Sequence, residues 1–359
     1  MATEDEVVYF PFMPRTVRPL LALAPALAAL ALGMALLAAP LAAAAAASTP
    51  MPLSTTPSAG QPKALRPAKG SLRLYLPDAF FVHRDAVTVL RRGLHVDGVV
   101  RPFVAGQWVT VRAFIAGRLF HTDRLRIKPS RNRAYGRFSE RLSSPGVGEV
   151  TVLVRHPRTR ALGAFAARRR FATLDERIRF GSTGRFVQLV QQRLAALHVY
   201  VPQSGVYDQG TGLAIDAYHR LLRSGSSQSL DGRTISFMLD GFGAFKVRYP
   251  RNGNHAEGNL SDQLLALIHG GRVDRIYPIS SGKSSTPTVL GNFHVYSRVP
   301  GYLPDGMYYS DFFYGGYAIH GYNPAPDYPA SHGCLRLPIA DAITVYQWLH
   351  FGDAVNVYY

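Results

Sequence analysis

A long run of uncharged residues marks the N-terminal part of the chain. Residues 19–47 carry no charge, are rich in Leu and Ala, follow Arg15 and Arg18, and end in small residues. A basic flank, an apolar region and small residues for cleavage are typical of an export signal, and the run is also long enough to span a bilayer. We therefore predict a signal peptide or membrane anchor over residues 1–47, and an exported protein of the cell wall or periplasmic space.

The next segment, residues 48–70, is rich in Ser, Thr, Pro and Gly and poor in large apolar side chains. Such a composition cannot bury enough apolar surface to offset the entropy of ordering the chain. We predict a disordered linker here.

Residues 71–175 carry apolar side chains with a period of two. Val109, Val111 and Ala113 alternate with polar residues, and a second run of this kind starts at Val150. Turns that contain Gly, Pro and Asn separate these runs, so the pattern predicts a half-buried antiparallel sheet. This all-β segment resembles the immunoglobulin-like β-sandwiches that precede catalytic domains in exported bacterial proteins.

The apolar spacing changes to that of helices in residues 181–240. The pattern indicates two helices with apolar stripes, of which the second has Thr211 as its expected N-cap. It also indicates a third short helix within residues 230–239. The stripe residues are Val187, Val190, Leu194 and Leu197, then Ala214, Tyr218 and Leu221. Through Leu189, Gln192 and the turn GVYDQGTG, this segment resembles the three-helix peptidoglycan-binding module. A helical spacer that only packs against its neighbours is the alternative.

Residues 245–359 consist of short apolar segments between Gly and Pro turns, which predicts a mostly β domain. One helix is expected to start at Pro338 and to end before Gly352. The whole chain is thus predicted to be multidomain and mainly β.

The formal net charge of +17 is concentrated in one domain. Residues 71–180 contain 22 Lys and Arg against 8 Asp and Glu, whereas residues 241–359 contain 8 of each kind. The arginines expected on outer faces are Arg131, Arg133, Arg137, Arg141 and residues 168–170. A basic surface attracts polyanions, so anionic wall polymers or a membrane surface are expected partners, with a solvated surface without a partner as the alternative. Export makes nucleic acid an unexpected partner.

Cys334 is the only cysteine, and His320 and His332 are its closest histidines in the sequence. As zinc ligands, these three residues match none of the usual spacings and lack an obvious fourth ligand. A buried structural thiol is a second interpretation. The third is a nucleophile with an imidazole base, in which backbone N–H groups around Gly333 and Cys334 hold an oxyanion.

The same residues carry a family resemblance. His320-Gly321, followed by Ser331-His332-Gly333-Cys334-Leu335-Arg336, resembles the signature of the L,D-transpeptidase catalytic domain, in which HG precedes [ST]HGC and Arg. Upstream counterparts are Ser281-Gly282-Lys283, Thr286-Pro287 and Gly291-Asn292-Phe293, whereas Val289 stands where a proline is common. The resemblance covers residues 245–359 and implies the β-sandwich-like fold peculiar to that family.

The resemblance also implies a mechanism. Cys334 would attack the carbonyl before the terminal D-alanine of a peptidoglycan tetrapeptide stem, and His320 would carry the proton to the leaving amine. An amine of a neighbouring stem would then take the acyl group from the thioester, which makes a 3→3 cross-link. The expected supporting residues are His332 and Ser331 as braces of the loop, Gly321 and Gly333 as sites of close backbone approach, and Arg336 as a carboxylate ligand or brace.

Two other function classes stay open at this level. Water in place of the amine would make the protein an L,D-carboxypeptidase, and the two preceding modules alone would suffice for a non-catalytic wall-binding protein. The transfer of an acyl group between amines needs no cofactor or metal. Tandem modules on a spacer favour a monomer, and the expected biological role is cell wall organisation and the maintenance of cell shape.

Overall fold

The computed structural model of the protein describes residues 66–90 and 92–359, and the predicted signal peptide or anchor, residues 1–47, lies outside them. The described residues form nineteen β-strands and four α-helices, so the prediction of a mainly β protein is confirmed. Among these residues, no helix is long and apolar enough to cross a membrane.

The N-terminal part of the described region contains ten strands in two sheets. The strands are β1 (Ser71–Tyr75), β2 (Phe80–Val82), β3 (Asp85–Val89), β4 (Leu94–Arg101), β5 (Trp108–Ile115), β6 (Arg118–Arg126), β7 (Lys128–Pro129), β8 (Gly136–Leu142), β9 (Gly148–His156) and β10 (Phe165–Leu174). Their orders are β1-β4-β8-β7 and β2-β3-β10-β9-β5-β6. Both sheets contribute to one apolar core, in which the predicted Val109, Val111 and Ala113 are fully buried. The immunoglobulin-like assignment of this domain stays a prediction.

Of the predicted linker, residues 48–65 lie outside the described residues, whereas residues 66–70 are folded. Ala68 pairs with Leu162 in an isolated bridge, and its N–H donates to the Ala161 carbonyl at 2.9 Å. Residues 66–70 therefore belong to the folded region, because backbone pairing with a distant loop orders a segment whose own composition would not fold.

Three helices follow, as the apolar stripes predict. They are α1 (Arg185–Ala196), α2 (Gln209–Leu221) and α3 (Gly232–Asp240). The N-cap of α2 is Asp208 rather than Thr211, so that prediction was wrong. The Asp208 carboxylate accepts the Thr211 N–H at 2.9 Å, as expected when a cap residue satisfies the third amide of a helix.

The C-terminal part contains two further sheets and one helix. Its elements are β11 (His255–Asn259), β12 (Leu264–His269), β13 (Arg272–Pro278), β14 (Gly291–His294), β15 (Ser297–Tyr302), β16 (Tyr308–Tyr314), β17 (Tyr317–Gly321), β18 (Leu335–Leu337), α4 (Ile339–Trp348) and β19 (Ala354–Tyr358). The five-stranded sheet has the order β13-β12-β11-β19-β14, and the four-stranded sheet has the order β15-β16-β17-β18.

Strand β12 is buried on both faces and joins the helices to the C-terminal domain. Leu265 and Leu267 pack into the C-terminal core. Leu264, Ala266 and Ile268 point the other way, into a core that they share with the helices and with one sheet of the N-terminal domain. Successive side chains of a strand point to opposite faces, so β12 serves two cores at once.

Candidate active site

Two adjacent parallel strands bring His320 and Cys334 to one face of the four-stranded sheet. In their register, Ile319 of β17 pairs with Leu335 of β18, and His320 pairs with Arg336. Ile319 and Leu335 are buried in the core. Because side chains alternate along a strand, His320, Arg336 and the preceding Cys334 lie on the opposite face.

The sulfur of Cys334 is held against the start of β17. The Ala318 N–H donates to Sγ at 3.4 Å, and the thiol donates to the Gly316 carbonyl oxygen at 3.7 Å. Burial raises the pKa of the Cys334 thiol, while the Ala318 N–H and the Arg336 charge oppose that rise. The resting group is therefore a protonated thiol that needs a base before it can attack a carbonyl.

His320 has the properties of such a base. It is 2% exposed, and its Nδ1 donates to the Gly321 carbonyl oxygen at 2.9 Å. A carbonyl can only accept, so Nδ1 carries the proton and Nε2 keeps a free lone pair. Burial lowers the pKa of His320 to about 4, and the ring is therefore neutral at pH 7.

The loop that carries Cys334 is braced from within by Ser331. Its buried hydroxyl donates to the Cys334 carbonyl oxygen at 2.7 Å and accepts the Gly333 N–H at 3.0 Å. This second bond bears on the expected oxyanion site. The Gly333 N–H already has a partner, and it is therefore not free to hold an oxyanion in this conformation.

Gly333 is required by its neighbour Tyr317. Its φ is +120°, and a Cβ at this position would lie 1.8 Å from Cε1 of the Tyr317 ring. Gly321 is confined in a similar way, since a Cβ there would lie 2.7 Å from the Ala342 Cβ. Both glycines thus occupy places where only a bare backbone fits, as close backbone approach predicts.

His332 and Arg336 take different positions from the reacting pair. His332 is exposed, and its Nε2 lies 3.5 Å from Nζ of Lys283. The Arg336 guanidinium lies 4.0 Å from the centre of the Tyr322 ring and donates to the Ala330 carbonyl at 3.4 Å. Its contacts are thus those of a brace. Its charge opposes the rise that burial causes in the pKa of Cys334 and adds to the fall that burial causes in the pKa of His320.

The upstream Ser281-Gly282-Lys283 segment forms backbone hydrogen bonds with the loop that carries Cys334. The Ser281 carbonyl accepts the N–H groups of Ala330 and Ser331, both at 2.9 Å, and the Lys283 N–H donates to the Ser331 carbonyl at 3.0 Å. The two parts of the sequence signature, about fifty residues apart, are therefore paired backbone to backbone.

Three residues near the reacting pair were assigned no individual role from the sequence. Tyr317 covers Gly333, Ala318 supplies the N–H to the sulfur, and Tyr322 lies edge-on to His320 with ring centres 5.8 Å apart. The individual roles of Tyr317 and Tyr322 depend on strand pairing, which the sequence alone does not show.

The described residues offer no alternative built on a metal. Within residues 66–90 and 92–359, no group of three or more His, Cys, Asp and Glu side chains could hold a metal ion. His332 faces Lys283 at the surface, whereas His320 is buried and pairs in register with Arg336, two residues after Cys334.

Comparison with known families adds to this geometry. Residues 253–357 match the family model of the L,D-transpeptidase catalytic domain, YkuD. These residues form an L,D-transpeptidase catalytic domain. The match lies within the predicted range, residues 245–359, and the family assignment made from the sequence is confirmed. The likeness of the two preceding modules to known domains stays a prediction.

Three individual proteins are also similar to this chain. The L,D-transpeptidase domain is 34% identical over 107 residues to YkuD of Bacillus subtilis (strain 168), a match that spans 29% of this chain and 65% of that protein. The crystal structure of the L,D-transpeptidase (residues 123–326) from Xylanimonas cellulosilytica is 29% identical, with a TM-score of 0.46 over 50% of this chain and 97% of the other. An L,D-transpeptidase structure from Stackebrandtia nassauensis is 20% identical, with a TM-score of 0.33 over 51% and 95%.

Proposed function

We propose that the protein is an exported cysteine L,D-transpeptidase that makes 3→3 cross-links between peptidoglycan stem peptides. One observation carries the proposal, namely that a protonated thiol on Cys334 and a neutral imidazole on His320 lie on the same face of two adjacent strands in an L,D-transpeptidase domain. A thiol and a general base are paired in this way in active sites where the base removes the thiol proton as the sulfur attacks its substrate.

The first step forms the acyl-enzyme. Nε2 of His320 takes the thiol proton as Sγ of Cys334 bonds to the carbonyl carbon before the terminal D-alanine. The Ala318 N–H, 3.4 Å from Sγ, stabilises the negative charge that develops on sulfur. When the carbon–nitrogen bond breaks, the leaving amine takes the proton from His320, and free D-alanine and a thioester remain.

The second step transfers the acyl group. The side-chain amine of a diamino acid in a neighbouring stem attacks the thioester carbon, and an amide bond replaces the carbon–sulfur bond. His320 returns the amine proton to the sulfur, so Cys334 is again a thiol. An amide is exchanged for an amide, and the reaction therefore needs no nucleotide, which suits a site outside the cytoplasm.

Mass spectrometry of the products tests this proposal. The purified protein and its Cys334→Ala variant are incubated with a disaccharide-tetrapeptide. We expect loss of D-alanine and a new cross-linked dimer with the wild type only. Loss of D-alanine without a dimer would identify an L,D-carboxypeptidase instead, and an untouched substrate in both samples would favour a wall-binding role without catalysis.

Export is part of the proposal. The uncharged run over residues 19–47 supports secretion or anchoring, and the substrate lies outside the cytoplasm. Fractionation of cells that express the full chain tests it. Protein retained in the cytoplasm would contradict it.

A basic surface supports a second contact with the wall. On the outer face of the sheet β10-β9-β5-β6, the exposed arginines lie in adjacent register positions. They are Arg112, Arg124, Arg126, Arg155, Arg168 and Arg170. A guanidinium group can donate two parallel hydrogen bonds to two oxygens of one phosphate, so the face suits a phosphodiester wall polymer. Binding of such a polymer should weaken steeply as the salt concentration rises.

Substitution distinguishes this surface from general basicity. Replacement of Arg112, Arg124, Arg155 and Arg168 by Gln should reduce polymer binding to isolated walls. The matched control replaces Arg131, Arg133, Arg158 and Arg160, four exposed arginines outside this face. Equal losses in the two variants would mean that net charge alone attracts the polymer.

A further inference from the structure

A continuous series of buried hydrogen bonds runs from the helices to the catalytic loop. It begins at Arg220 on α2, which is 8% exposed. Its Nη1 donates to the carbonyl oxygens of Gln263 and Ile279 at 2.9 and 2.8 Å. Its Nη2 pairs with the buried Asp216 at 2.7 Å, one helical turn earlier.

The next link is a reciprocal pair between Gln263 and Ser281. The Gln263 Nε2 donates to the Ser281 Oγ at 2.8 Å, and the Ser281 N–H donates to the Gln263 Oε1 at 2.9 Å. Both residues are buried, at 8% and 3% exposure. Arg220 therefore holds the backbone at Gln263 while the Gln263 side chain holds Ser281.

The series ends at the nucleophile. The Ser281 carbonyl accepts the N–H groups of Ala330 and Ser331 at 2.9 Å, and the Ser331 hydroxyl donates to the Cys334 carbonyl at 2.7 Å. In parallel, the backbone of Ser280 exchanges two hydrogen bonds with Arg336, at 2.9 and 3.0 Å. The segment next to Arg220 thus supports both the loop and strand β18.

We propose that Arg220 is a positioning residue, which fixes residues 279–281 and through them the catalytic loop. The proposal rests on the transpeptidase function proposed above, and it makes the helical region a part of the catalytic apparatus rather than only a wall-binding attachment. One planar guanidinium serves two carbonyls and one carboxylate in fixed directions, which a lysine ammonium on a flexible stem does not reproduce.

The effect of displacing the loop is specific. The sulfur of Cys334 would move away from the Ala318 N–H and from His320, while the outer surface of the site would stay in place. Because small displacements of reacting groups slow catalysis strongly, the turnover number should fall while KM changes little. Loss of the hydrogen bond from the Ala318 N–H to the sulfur should also raise the pKa of the thiol, since that bond stabilises the thiolate.

The test compares three variants of the full chain. Asp216→Asn with Arg220→Met removes both buried charges together, because one charge left alone would destabilise the fold. Arg220→Lys keeps the charge but not the fork. Arg193→Met is the matched control, since Arg193 is a half-buried arginine of α1 that donates to the Met238 carbonyl within the helical region. The readouts are kcat and KM for D-alanine release, and the pH dependence of Cys334 alkylation by iodoacetamide.

We expect the double variant to lower kcat on the order of 10-fold to 100-fold with KM within about twofold, and to shift the alkylation midpoint to higher pH. Arg220→Lys should lower kcat by a smaller factor, and Arg193→Met should leave it unchanged. A folded double variant with the wild-type kcat and alkylation profile would overturn the proposal, as would an equal loss in Arg193→Met. If the double variant does not fold, a wild-type kcat in Arg220→Lys overturns it.

The outcome separates this proposal from the function on which it rests. If the wild type releases no D-alanine, the transpeptidase proposal fails. The alkylation profiles still report whether Arg220 positions the thiol.

Discussion

Burial acts on Cys334 and His320 in opposite directions, since it raises the pKa of the thiol and lowers that of the imidazole to about 4. Both shifts favour the neutral forms. The resting pair is therefore a thiol and an imidazole rather than a thiolate and an imidazolium, and the proton moves only when a substrate carbonyl is in place.

This pair predicts the pH dependence of acylation. His320 must be unprotonated to act as a base, so kcat/KM should hold from neutral pH into the acidic range and be lost as pH falls through about 4. In His320→Ala, the rate should instead rise with pH as the thiolate forms. An acidic limb near 6.5, the ordinary value for histidine, would contradict a buried neutral base.

A second prediction for a single residue concerns Gly333. In Gly333→Ala, the new Cβ would meet the Tyr317 ring at 1.8 Å and the backbone would keep a φ of +120°. We expect a loss of about 1–3 kcal/mol in the free energy of unfolding together with a loss of turnover, because Tyr317 or the loop must move. Gly181→Ala is the control, since its φ is +84° but a Cβ there meets nothing within 4 Å; it should lose stability and keep turnover.

At the scale of elements, the loop before β18 contains two polar residues with opposite environments. Ser331 is fully buried and bonded on both sides, whereas His332 is exposed. Ser331→Ala would leave the Gly333 N–H and the Cys334 carbonyl without these bonds, at about 1–3 kcal/mol for each buried group, and should lower kcat on the order of 10-fold or more. His332→Ala should change kcat by less than about threefold. A larger loss for His332→Ala than for Ser331→Ala would contradict this assignment.

The sequence predicts strands and helices where buried side chains recur at a regular spacing along the chain. The alternation at Val109–Ala113 and the stripe through Val187 and Leu194 correspond to a strand and a helix as expected. The motif spacing and the family resemblance led to His320 and Cys334. Tyr317 over Gly333 and the bonds of Arg220 could not be predicted, because they join residues that only strand pairing and domain packing bring together.

At the scale of the whole molecule, the helices and the catalytic domain share one core. Leu264, Ala266 and Ile268 of β12 are fully buried against the helical region. Residues 245–359 alone would expose these side chains, at about 1.5–3 kcal/mol for each large one. We expect the isolated segment to be less soluble and to unfold at a lower temperature than the full chain. Equal melting temperatures and equal turnover would contradict the shared core.

In the proposed reaction, Cys334 forms a thioester with the stem peptide. Intact-protein mass spectrometry after rapid mixing with a tetrapeptide stem measures it directly. We expect the wild-type mass to rise by the mass of the stem without its D-alanine, the adduct to map to Cys334, and the mass of Cys334→Ala to stay unchanged. An adduct on another residue, or D-alanine release by Cys334→Ala, would contradict it.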